Sequence, residues 1–140
     1  MVELPRFRAF QFHNGLDRVR DAFRVSAGRM AEMERQACEA YDHYIDSGED
    51  DIEYDDDGCL LRSTRHELEW AAREASLAKE VVREAFITSA FHYWETSARG
   101  WTGNHKSHFP GLCESVKSLG YPVSNDIGLL NSLNNLLSRP

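Results

Sequence analysis

Glu53, Asp55 and Asp57 precede Gly58 at alternate positions, as in the first half of an EF-hand calcium loop, with Leu60 at the apolar eighth position. The twelfth position falls on Thr64, where a bidentate glutamate is required. A solvated acidic connector is therefore the plainer reading of residues 49–58. His105 and His108 are three apart, and His92 and Glu95 share a helical face. If the chain turns back after Gly100, these four side chains could converge as metal ligands; the plainer reading leaves His105 and His108 exposed in the loop and His92 hydrogen-bonded at the edge of the core. No HExxH or comparable signature accompanies them, and the expectation is no metal and no other cofactor. Glu95 is the more informative acid. It follows Phe91, Tyr93 and Trp94 in the least polar stretch of the chain, where an unpaired carboxylate is costly. It is a functional acid, or it faces solvent, or it is one half of an i, i+4 ion pair with Arg99. Cys38, Cys59 and Cys113 lie far apart, and nothing sets a histidine or a helix N-terminus beside any of them as an activator.

Helices must position these groups. Leu61, Thr64, Leu68, Ala71, Ala75, Ala78, Val82, Ala85, Ser89, His92 and Thr96 alternate in spacings of three and four, which predicts a long helix over residues 61–99. Leu16, Val19, Phe23, Ser26, Met30, Met33, Ala37, Ala40 and Tyr44 predict another over residues 16–46. Gly15 and Gly28 weaken it by about 1 kcal/mol each relative to alanine. Phe7, Phe10 and Phe12 precede it and are expected to pack on the main body. Residues 47–60 read as an acidic loop, so the two helices form an antiparallel hairpin. Thr64 and Glu67 have the form of a capping box. Residues 100–104 break the second helix. Pro110 opens a short helix over residues 110–119 with Gly120 as its cap, and Ser124 caps a last helix over residues 124–138. The expected fold is all-α: one domain over residues 1–140, a helical bundle on one long antiparallel hairpin with two short C-terminal helices.

The 140 residues are 41% hydrophobic and 28% charged, ordinary proportions for a soluble globular chain. A net charge of −7 argues against non-specific nucleic-acid binding without excluding a local basic site. Three cysteines without metal spacing fit a reduced, cytoplasmic setting. Residues 1–6 have no apolar signal-peptide core, and no run approaches the roughly 20 apolar residues of a membrane span. The apolar excess on two long helices favours a homodimer.

The stretch from Val81 to Arg139 resembles HEPN-type domains, the small helical bundles of many prokaryotic toxins and abortive-infection proteins. The resemblance rests on Phe91-His92-Tyr93-Trp94-Glu95, the short helix at Leu112 to Leu119, the proline turn, and the helix from Ile127 to Leu137. In ribonucleases of that family the last helix carries an arginine, usually a polar residue after it, and a histidine a few residues on. Asn134-Asn135-Leu136-Leu137-Ser138-Arg139 sits where that motif falls. Asn135 matches the polar position, but Asn134 is not arginine and no histidine follows. The resemblance thus implies an interaction or regulatory component of a defence or toxin–antitoxin system, with an antitoxin or other protein as partner. A metal-independent ribonuclease is the alternative, with Glu95, Asn134 and Asn135 lining its cleft and RNA as substrate. One expectation is that the chain is truncated and that its continuation held the histidine. A helical metal-binding protein using His105 and its neighbours is the third reading.

Overall fold

Nothing from Leu4 to Ser47 breaks a helix outright: Pro5 lies in the first turn, where its missing N–H costs nothing, and the two glycines are isolated. The computed structural model, which describes residues 4–138, accordingly has one unbroken helix, α1, over Leu4–Ser47. It starts at Leu4 instead of residue 16. Gly48, at φ +68°, ends it. The remaining elements are β1 (Ile52–Tyr54), β2 (Leu60–Ser63), α2 (Thr64–Thr102), α3 (Phe109–Ser118) and α4 (Asn125–Leu137). The fold is all-α as expected, with α1 paired with α2 and two short helices after them. Among the described residues no helix is long and apolar enough to cross a membrane.

The segment expected to be an irregular loop is a β-hairpin. β1 and β2 pair antiparallel, with Ile52 opposite Ser63 and Tyr54 opposite Leu60. The Asp55 carboxylate accepts the backbone N–H groups of Asp57 and Cys59, at 3.0 and 2.7 Å. Gly58, at φ +79°, supplies the left-handed turn residue. At the open end, Asp51 accepts the Tyr44 and Thr64 hydroxyls. The Thr64 side chain is thereby drawn away from the expected capping box. Ser63 stands at the helix start instead, its Oγ accepting the His66 N–H at 3.4 Å. α2 passes through Gly100 and stops only at Gly103, at φ +67°, whose N–H reaches the Arg99 carbonyl at 2.9 Å. The two short helices begin and end within a residue of expectation: Pro110 is in the first turn of α3, Gly120 follows it at φ +85°, and Ser124 Oγ accepts the Asp126 N–H.

The expected apolar stripe of α2 holds for its first half only. Thr64, Leu68, Ala75, Ala78 and Val82 are half-buried, whereas Ala71, Ala85, Ser89, His92 and Thr96 are exposed. The buried residues late in the helix are Phe91, Trp94 and Ala98. A helix of 3.6 residues per turn drifts about 20° per heptad against a 3.5 repeat. Carried over five heptads, the stripe ends about 100° away from the face that is buried.

The chain divides into two compact units. The first comprises α1 to Phe23, α2 from Glu84, and α3 and α4. Its core is Phe91, Trp94, Ala98, Leu112, Cys113 and Val116, with Phe12, Phe109, Tyr121, Val123, Ile127 and Leu130 packed around it. Of the three early phenylalanines only Phe12 joins this core; Phe7 and Phe10 are exposed. The second unit, residues 24–83, comprises the rest of α1, the hairpin and the start of α2. Lys79 Nζ meets Glu34 Oε2 at 2.6 Å there and ties the two helices together. Tyr44 is the one buried hydrophobic residue among its residues.

Candidate functional site

Glu95 is positioned by helix geometry. His92, Glu95 and Arg99 stand at i, i+3 and i+7 on α2, so the carboxylate has a basic side chain on either side. Arg99 donates from Nη2 and Nε to Glu95 Oε1 at 2.7 and 3.2 Å. His92 Nδ1 lies 3.5 Å from Glu95 Oε2. Arg99 also donates from Nη1 to the carbonyls of Asn104 and Ser107, at 3.2 and 3.3 Å. A guanidinium alone has enough donors in a fixed plane for this. The ion pair expected from the sequence is therefore present, and it also clamps the loop that follows α2. Asn104 completes the clamp. Its Oδ1 accepts the Ser107 N–H at 3.1 Å, and its Nδ2 donates to Ser115 Oγ at 2.9 Å.

Asn134 and Asn135 are placed differently from each other and from Glu95. Asn134 is buried, and its Oδ1 has no hydrogen-bond partner among the described residues. Its neighbour Asn135 is exposed. No hydrogen bond joins either amide to Glu95 among the described residues. Arg139 lies outside the described residues.

His105 and His108 are both exposed. Among the described residues no group of three or more His, Cys, Asp or Glu is arranged to hold a metal ion. In the acidic segment, Asp55 is occupied with backbone N–H groups, and Thr64 donates to Asp51. The hydrogen bonds from Thr64 and Tyr44 hold the Asp51 carboxyl below the ordinary aspartate range, and the same contact pushes the Tyr44 hydroxyl up. Burial likewise pushes the Cys113 thiol up, which makes it less reactive; Cys38 and Cys59 are exposed.

Three features lie outside the motifs and the small-residue spacing. An open groove of about 430 Å³ is lined by Gln11, Asn14, Gly15, Arg18 and Tyr93. The charge is sharply segregated. Residues 46–57 hold eight acidic residues and no basic one, whereas the first unit has eight basic and seven acidic residues. Counting charge by segment instead of by chain exposes this division. Finally, Trp70, Leu77 and Val81 are exposed on one face of α2. Their spacings of seven and four mark it as a stripe, flanked by the longer small-residue stripe that contains Ala71 and Ala78.

No protein-family model, curated protein or solved structure matches this chain, so the fold and these sites stand on their own geometry.

Proposed function

We propose that this protein is an interaction module whose second unit, residues 24–83, is completed by another protein chain. The supporting observation is the distribution of apolar side chains. Ten large hydrophobic residues of that unit are exposed, against Tyr44 alone buried. Burying a fully exposed side chain of this kind is worth about 1.5–3 kcal/mol, and these are 40–75% exposed. Trp70, Leu77 and Val81 share one face of α2, the kind of patch that marks a contact site. A pocket of about 200 Å³ beside Trp70, lined by His66, Glu69 and Arg73, gives the face relief for a partner side chain to enter. The resemblance to HEPN-type domains attaches this reading to prokaryotic defence or toxin–antitoxin systems, in a regulatory role. The test is the native size of the chain in a cell lysate. The wild type elutes in a larger assembly and Trp70→Glu as the free chain; identical elution of the two as free chain would contradict the proposal.

The separation of charge favours a second activity, RNA contact by the first unit. Among the described residues Arg6, Arg8 and Arg18 have no carboxylate partner, whereas Arg20 is tied to Asp17 and Asp21. Exposed Phe7 and Phe10 stand among them and offer rings for bases to stack on. Fluorescence anisotropy with labelled single-stranded RNA tests this. Binding that weakens with salt and in Arg18→Ala supports it; equal binding by Arg18→Ala counts against it. Cleavage of the same RNA in the presence of a chelator would favour the ribonuclease reading.

A further inference from the structure

We infer that the chain which covers the Trp70–Leu77–Val81 face is a second copy of this protein, packed antiparallel through α2; the inference rests on the interaction reading above and names its partner. The three side chains are 60%, 54% and 63% exposed and lie within about 40° of one another around the helix. Ala71, exposed, and Ala78, half-buried, form one shoulder of the stripe, small enough for a neighbouring helix to approach closely. Arg73 and Glu80 form the other shoulder, and both are exposed.

The direction of pairing follows from Glu74, which stands on the same face between Trp70 and Leu77. A parallel, in-register pair would set Glu74 against its own copy, like charge against like in an apolar seam. An antiparallel pair about a two-fold axis between residues 75 and 76 avoids this. Trp70 then opposes the partner's Val81, and Leu77 opposes the aliphatic stem of the partner's Glu74. On the shoulder, Arg73 meets the partner's Glu80, and two-fold symmetry forms that contact twice. Arg73 has no carboxylate partner within its own chain among the described residues, so it is free for this contact. Glu80 bonds Arg83 at 3.0 Å and can accept a second cation on its exposed side.

The net charge of −8 on the second unit lies in residues 46–57, before α2, and an antiparallel pair sets the two acidic segments at opposite ends of the seam. Outside residues 46–57 the second unit has eight basic and eight acidic residues, so the α2 face belongs to a neutral surface. It lies almost wholly outside the stretch that resembles HEPN-type domains, meeting it only at Val81.

Sedimentation equilibrium of the full chain provides the test, with wild type, Trp70→Glu, Arg73→Glu, Glu80→Arg and the Arg73→Glu/Glu80→Arg double variant. The wild type is expected to be a dimer. Trp70→Glu should be monomeric with an unchanged helical circular-dichroism spectrum, because the residue is exposed. Each single reversal should weaken the dimer roughly tenfold, and the double swap should restore it to within roughly threefold of wild type. Wild type that is monomeric when pure overturns the inference. If that monomer nonetheless elutes in a larger assembly from lysate, the interaction reading survives with a different partner; if it elutes as free chain, both fall. Single reversals without effect, or a double swap that fails to restore pairing, overturn the antiparallel arrangement.

Discussion

A Cβ atom built on Gly15 would lie 1.7 Å from the hydroxyl oxygen of Tyr93 and 2.3 Å from the ring carbon that bears it. Tyr93 reaches this position because its ring stacks on Phe12, at 5.4 Å, and its hydroxyl donates to the Phe12 carbonyl at 3.3 Å. Gly15 is thus a point of close approach between α1 and α2 in the first unit, and its helix-weakening tendency is a secondary matter.

Gly15→Ala should therefore destabilise the protein. Propensity alone favours alanine by about 1 kcal/mol, but the methyl group displaces the Tyr93 ring from its stacking on Phe12 and its hydroxyl from the Phe12 carbonyl, and overpacking of this kind costs about 1–3 kcal/mol. Urea unfolding checks this. In a Tyr93→Leu background, which removes the hydroxyl and the ring, the same alanine should become neutral or stabilising.

Asn134→Leu should raise stability by about 1–2 kcal/mol, because a buried carboxamide oxygen without a partner costs free energy that an apolar side chain does not. The comparison is the urea midpoint at unchanged m-value. A loss of stability would mean that the amide is satisfied in solution.

Arg99→Lys should free the loop after α2 while leaving the helix intact. A lysine keeps the charge near Glu95 but cannot hold one carboxylate and two carbonyls in one plane. Hydrogen exchange at the Ser107 amide should accelerate at least about tenfold, the size expected for losing about 1.4 kcal/mol of local protection. Amides in the middle of α2 should not change.

The hairpin carries a pH dependence of known sign. The folded-state pKa of Asp51 is depressed by the Thr64 and Tyr44 hydroxyls, so its contribution to stability is present above the unfolded aspartate pKa and is lost as pH falls through the folded value. Thr64→Ala removes the largest cause of that depression, and the Asp51 carboxyl should then titrate at higher pH. Carboxyl chemical shifts followed between neutral and acid pH check the direction.

What could be read in advance was the chemistry local to a few residues. Pro110, Gly120 and Ser124 act within one helical turn, and α3 and α4 were legible to within a residue. The two long helices were legible because their periodicity is sustained. The late face of α2 was not, since the period, assumed to be 3.5, is closer to 3.6, and that error grows with length. The β-hairpin was hidden because β1 has three residues, all exposed, and therefore no buried face to betray alternation. The Glu95–Arg99 pair was visible as a spacing. Its grip on Asn104 and Ser107 was not, because backbone carbonyls leave no trace in sequence. Asn134 was singled out by resemblance alone, and its burial required the packing of α4.

The central claim, that residues 24–83 are covered by another protein chain, is tested most directly by oxidative footprinting of Trp70. Trp94, buried in the core of the first unit, serves as the internal reference. In the cell, Trp70 should be modified as slowly as Trp94, and in purified protein diluted until it sediments as a monomer it should be modified much faster. Rapid modification of Trp70 in both settings would contradict the account.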